Sequence, residues 1–116
     1  MHEFGLCEAI VDAVCRRAAG RRVARVRVRI GAMHRVDKES FRQGFSWAGS
    51  ETEAANAAVD LIVTAVRAVC ASCQTEATFE ESATLCPRCG AADMNIVQGN
   101  ELILESIEYA EESTPL

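Results

Sequence analysis

The chain has 116 residues, 49% of them hydrophobic, which allows one modest core and a satellite too small to hold itself together by burial alone. Its formal charge of −5 sets a mean field that repels phosphate backbones and anionic lipid, so neither nucleic acid nor membrane is an expected partner. No run approaches the ~18 apolar residues a spanning helix needs, and an N-terminus carrying Glu3 and Glu8 lacks the basic start of a signal peptide, which points to the cytoplasm.

From Glu3 to Ala19, Cys7, Ile10, Val11, Val14 and Ala18 recur at steps of three and four, and Glu8 and Asp12 precede Arg16 and Arg17 as the helix dipole prefers. Gly20 suits a left-handed helix end. Next, Ala24, Val26, Val28 and Ile30 alternate with Arg25, Arg27 and Arg29, the period-two pattern of a half-buried strand closed by Gly31. Asp37 is a good N-cap for a second helix, with Val36 and Phe41 placed as a hydrophobic staple and Phe41, Phe45 and Ala48 as its inward stripe, ending near Gly49. Residues 50–58 read as a loop. Val59 to Val66 and Glu101 to Tyr109 are strand-like runs rich in Val, Ile and Leu.

The cysteine segment lies between those two strands. The pattern therefore predicts an α+β protein: a three-stranded sheet with two helices formed by residues 1–66 and 101–112, interrupted by a zinc-ribbon-like β-hairpin domain at 67–100, with 113–116 as a flexible tail.

Six cysteines in a chain without a secretory signal favour metal ligation over disulfides. Cys70-Ala-Ser-Cys73 and Cys86-Pro-Arg-Cys89-Gly90 are separated by 12 residues, room for short strands at Thr75 to Phe79 and Ala83 to Leu85 with a turn at Glu80 to Ser82. Each C-x-x-C can place two thiolates on one metal, and four thiolates select tetrahedral zinc in a closed, structural site. The spacing is tighter than the usual range of about 15–20, and Gln74 stands where such turns often carry glycine. The alternatives are two pairs of core cysteines or a redox disulfide, but neither pair opens a helix after a strand as a thioredoxin-like site requires. Phe79 and Leu85 are almost the only large apolar side chains in the segment, so metal binding, on the order of 10 kcal/mol or more, would have to hold it folded. Cys7 and Cys15, about 12 Å apart along one helix, are too distant for a disulfide or a shared ion and read as packing residues.

Met1-His2-Glu3 offers fused chelate rings: the terminal amine with the His2 amide nitrogen, then that amide with Nδ1 of the same residue, with Glu3 adding an amide nitrogen or carboxylate. Such tetragonal nitrogen coordination suits Ni(II) or Cu(II). On local chemistry alone, a histidine beside a terminus is most simply a chance event. His34, the other histidine, reads as a surface residue.

Met1-His2-Glu3, Arg29-Ile30-Gly31, the two C-x-x-C pairs and Gly99-Asn100-Glu101-Leu102 with Ile107-Glu108 together resemble the HypA/HybF family of nickel metallochaperones over nearly the whole chain. The resemblance implies a non-enzymatic protein with His2 as anchor for Ni(II) cargo, Met1 and Glu3 assisting, and structural Zn(II) on Cys70, Cys73, Cys86 and Cys89. It also implies a HypB-like nickel GTPase and the [NiFe]-hydrogenase large-subunit precursor as partners, and in some members a urease accessory protein. Gln74 and the Ala32-Met33-His34-Arg35 turn depart from the family pattern. The rival reading is a zinc-ribbon module for protein or nucleic acid with no nickel role. A metal-dependent enzyme is disfavoured, because two histidines complete no Ser/His/Asp or paired-carboxylate arrangement. The Arg25, Arg27 and Arg29 stripe lacks interleaved aromatics and can be answered by Asp60, Glu101 and Glu105 on neighbouring strands. It fits a protein surface better than a base-stacking one.

Overall fold

A computed structural model describes residues 2–80 and 84–110, the side chain of His2 excepted. The elements run α1 (His2–Ala18), β1 (Val23–Gly31), a 3-10 turn η1 (Ala32–His34), α2 (Lys38–Ala48), β2 (Ala58–Thr64), β3 (Val66–Cys70), β4 (Glu76–Phe79), β5 (Met94–Gln98) and β6 (Leu102–Tyr109). Two three-stranded sheets result, one ordered β2-β1-β6 and the other β4-β3-β5. The expected α+β class, with two helices and a three-stranded sheet, is the observed one. The tail at 113–116 and most of the expected turn at 80–82 lie outside the described residues.

Contacts divide the chain into two compact units, Met1–Val28 with Val36–Leu61 and Ile103–Leu116, and Arg29–Arg35 with Ile62–Leu102. In the first unit, α1 buries Cys7, Ile10, Val11, Val14 and Ala18, the face its periodicity marks. It packs on α2, which contributes Phe41 and Phe45. Close approach is possible because Gly44 has no side chain: a Cβ there would stand 2.9 Å from Cys7 Sγ. The Cys7 thiol in turn donates to Phe41 O at 3.3 Å. Helix α2 starts where expected, Asp37 accepting from the Ser40 N–H at 3.0 Å, which also lowers its carboxyl pKa; such a cap stabilises a helix by about 1 kcal/mol. Ala19 and Gly20 both take positive φ at the end of α1.

Three expectations are corrected. Along β1 the buried residues are Val23, Val26, Val28, Ile30 and Gly31, while Ala24 is exposed: Ala24 and Arg25 both face solvent, so the strict alternation starts only at Val26. The single strand anticipated at 59–66 is two, broken at Ala65, so that β2 serves one sheet and β3 the other. In the cysteine segment, β4 pairs with β3 (Val66↔Phe79 to Val69↔Glu76) rather than with 83–85. Thr84 and Leu85 are not in a strand, and residue 83 lies outside the described residues. The third strand is β5, antiparallel to β3 with a register shift between Arg67 and Ala68.

Candidate metal centre

The second unit brings Cys70, Cys73, Cys86 and Cys89 together, their sulfurs all within 4.8 Å of one another. Two turns of matching build hold them. In the first, the Cys70 N–H donates to Thr75 O and the Gln74 N–H to Cys70 O; in the second, the Cys86 N–H donates to Ala91 O and the Gly90 N–H to Cys86 O, all at 2.8–2.9 Å. Each turn ends in a left-handed residue, Gln74 at φ +65° and Gly90 at φ +77°. Gln74 thus occupies the conformation that favours glycine, and its amide side chain donates to Ala71 O at 3.2 Å. The sheet then delivers the turns to each other: β3 ends on Cys70, and its partner β5 starts at Met94, with the Ala71 N–H bonded to Asp93 O and Ser72 Oγ to Asp93 Oδ2.

Cys70 Sγ lies 3.7 Å from Cys89 Sγ, and Cys73 Sγ lies 3.6 Å from Cys86 Sγ. A tetrahedron with metal–sulfur bonds of about 2.3 Å has edges of about 3.8 Å, so the donors are spaced for one ion, while a disulfide would need about 2 Å. All six cysteines are unbonded thiols.

The surroundings prepare two of these sulfurs for negative charge. The Thr75 hydroxyl, 3.1 Å from Cys73 Sγ, and the Thr75 backbone draw the Cys73 pKa down to about 6. The Cys89 and Arg88 N–H groups, 3.5 and 3.4 Å from Cys86 Sγ, lower that of Cys86. Cys89 is raised to about 11: a bond from the Ala91 N–H lowers it, but desolvation and the thiols of Cys73, Cys70 and Cys86 together outweigh that. The raised Cys89 thiol holds its proton at neutral pH, and a cation bound among the sulfurs would displace it by stabilising the thiolate.

The Met1-His2-Glu3 tripeptide is not part of this cluster. Met1 lies outside the described residues, and His2 and Glu3 open α1, Glu3 being half-buried. The first-turn N–H groups of a helix have no intrahelical acceptor, so an amide nitrogen there can bind a metal without breaking the helix ladder. His34, in η1, has Nε2 2.9 Å from Asn100 O, a main-chain tie in the second unit. Cys7 is buried among α1 and α2, and burial, then the nearby Glu3 charge, raise its pKa to about 11. The Arg25, Arg27 and Arg29 stripe is answered by carboxylates: Arg25 pairs with Glu108 at 3.7 Å, Arg27 with Asp60 at 3.5 Å, and Arg29 lies in the field of Glu101. Sequence reasoning missed Thr75 and Asp93 as supports of the cluster. Their signal was only proximity: a hydroxyl two residues after Cys73 and a carboxylate four after Cys89.

Fold and cluster together define a small α+β protein with a four-thiol metal centre built on paired turns. A family model described as hydrogenase/urease nickel incorporation, metallochaperone, hypA matches residues 1–109. A hydrogenase maturation factor HypA of Francisella philomiragia is 30% identical over 112 residues, covering 94% of this chain and 99% of that protein. One from Chlorobium limicola is 34% identical over 115 residues, covering 96% and 98%. The solution structure of the Ni metallochaperone HypA from Helicobacter pylori superimposes with a TM-score of 0.62 at 27% identity, covering 97% of this chain and 100% of that one. The chain belongs to the HypA family of hydrogenase maturation factors. Among the described residues no helix is long and apolar enough to cross a membrane.

Proposed function

We propose that this protein carries Ni(II) as cargo at Met1, His2 and Glu3 and delivers it in the cytoplasm during maturation of a [NiFe]-hydrogenase, while Cys70, Cys73, Cys86 and Cys89 hold a structural Zn(II). The reading rests on one observation above the rest: the family match runs from residue 1, so the Met-His-Glu start lies inside the matched region. A helix start with uncommitted amides is suitable for a removable ligand set. Zinc is the natural occupant of four thiolates at tetrahedral spacing, and four protein ligands leave it no open position for hydrolysis. The protein therefore acts by transfer, not turnover. Its partners are a HypB-like nickel GTPase and the hydrogenase large-subunit precursor, with urease as a second recipient reached through an accessory protein. A compact unit defined by contacts is not the same thing as a segment that melts when metal leaves. For the latter we assign residues 67–100, with residues 1–66 and 101–112 forming the nickel-binding domain.

A nickel titration of three preparations tests the cargo site: native terminus, a short N-terminal extension, and His2→Ala. The extension turns the terminal amine into an amide and removes the first chelate ring, so both altered proteins should lose at least about tenfold in affinity. Unchanged affinity and spectrum in either would overturn the terminal chelate and favour a zinc-ribbon interaction module instead.

A further inference from the structure

The charge of this acidic chain is segregated. Between Asp12 and Asp37 stand eight of its twelve Lys and Arg residues, all arginine, and no carboxylate. The strand members of that set have acidic neighbours, as described above. The four at the end of α1 and in the following loop, Arg16, Arg17, Arg21 and Arg22, are exposed and have no carboxylate partner among the described residues.

Two of the four are held in place by neutral groups. Arg17 Nη1 donates to Leu104 O at 3.3 Å, and the Tyr109 hydroxyl donates to Arg17 O at 3.3 Å. The Arg21 guanidinium stacks over the ring of that same tyrosine, 3.8 Å from its centroid. The backbone of Arg22 is pinned by the Ala110 N–H, bonded to its carbonyl at 3.0 Å. The helix dipole favours Arg16 and Arg17 in the last turn of α1, but it gives no reason for Arg21 and Arg22 beyond it. Crowding like charges has a cost that solvation of the fold does not require. An oriented, stacked guanidinium keeps its planar fork available for two-pronged contact with carboxylates.

We propose that Arg16, Arg17, Arg21 and Arg22, with Tyr109 as their platform, form a docking surface for an Asp/Glu-rich segment of a protein partner. The ligand chemistry is the carboxylate rather than the nucleotide: among the described residues the patch has one aromatic ring, Tyr109, and Arg21 already stacks on it, so it lacks the series of free rings on which successive bases stack. The surface is independent of nickel binding, and its test does not read metal.

The experiment measures fluorescence anisotropy of a labelled short poly-glutamate peptide on the full chain, with a mixed-sequence RNA oligonucleotide as competitor probe. Arg22→Glu should weaken peptide binding by about tenfold or more, while Arg42→Glu, the same charge change on α2, leaves it nearly unaltered. Arg21→Lys keeps the charge but loses the fork, and binding should fall severalfold. Equal losses from Arg22→Glu and Arg42→Glu would reduce the effect to bulk charge and overturn the site, as would absence of peptide binding or tighter binding of the RNA. A chain ending at Ala110 should bind as the whole one does; a gain of about tenfold would make Glu111 and Glu112 the occupant and overturn the partner assignment. Circular dichroism checks the fold, and Arg16→Glu replaces Arg22→Glu should the latter fail to fold.

Discussion

The two units of the molecule are held by different forces. In the first, Val14, Val23, Val26, Phe41 and Phe45 are almost wholly removed from water. In the second, the buried apolar residues are small or few: Ile30, Ala32, Val66, Ala68 and the sulfurs of Cys70 and Cys86, while Leu85 is 56% exposed and Phe79 only half-buried. At roughly 25 cal/mol per Å² of apolar surface, a sheet with so little to bury cannot offset the conformational entropy of its own ordering. A short chain can carry two ordered sheets when one has a core and the other has a cluster of four thiols spaced for a metal. The thiol cluster stands where the second sheet has no hydrophobic centre.

Removing the metal should break that comparison most severely. Chelation, or the quadruple Cys→Ser change at 70, 73, 86 and 89, withdraws on the order of 10 kcal/mol. The amides of β3, β4 and β5 should then exchange freely while those of α1, α2 and the core of β1 stay protected, as hydrogen exchange would report. Zinc retained by the quadruple variant would refute the ligand set. Global unfolding would show that the segment supported by metal is larger than residues 67–100.

The same contrast explains what could be read in advance. Elements with their own periodicity and punctuation were legible: α1 from its three-and-four spacing, α2 from Asp37 and Gly49, β1 from its alternating arginines. The four ligands were legible because C-x-x-C chemistry is written locally. The second sheet was less so. Its central strand β3 begins two residues after β2 ends, with only Ala65 between, and no turn residue marks the change of sheet. The short hairpin at 75–85 satisfied the need to bring the cysteines together, so nothing in the pattern demanded that Met94 to Gln98 pair with β3. Long-range pairing is decided by what a strand finds in three dimensions, and a register shift at Arg67/Ala68 leaves no trace in composition. The arginine pairings were half legible: Asp60 was foreseen as a partner, whereas Glu108 required the actual placement of β6.

A smaller test acts on the first unit alone. Burial keeps the Cys7 thiol neutral, with its pKa raised to about 11 from 9.0. For an acid raised on folding, the stabilisation is fully present below the unfolded pKa and is lost as pH climbs from about 9 towards 11, a total of about 2–3 kcal/mol. Thermal melts of the metal-loaded protein should show this alkaline loss, and Cys7→Ala should flatten it while lowering stability at neutral pH, where the Phe41 O contact and packing against Gly44 are forfeited. A wild-type profile that stays level across this window would show that the thiol does not control it.

The finest comparison lies within the cluster, between two turns of the same build that end in different residues. At Gly90 a Cβ would meet nothing within 4 Å, so Gly90→Ala is opposed only by the left-handed backbone and should weaken metal retention by about 1 kcal/mol, roughly fivefold. Gln74→Gly relieves the same backbone cost, but glycine frees the unfolded chain by about 0.4–1 kcal/mol and removes the bond to Ala71 O, an exposed contact of about 0.5 kcal/mol. The terms nearly cancel. Competition against a chromophoric chelator should therefore find Gln74→Gly within about twofold of wild type, against a clear loss for Gly90→Ala. A tenfold gain from Gln74→Gly would mean that the glutamine is a strained substitute whose side-chain bond contributes nothing. A tenfold loss would mean that this bond, rather than backbone preference, sets the first turn, and the two halves of the cluster would then differ in kind despite their matching hydrogen bonds.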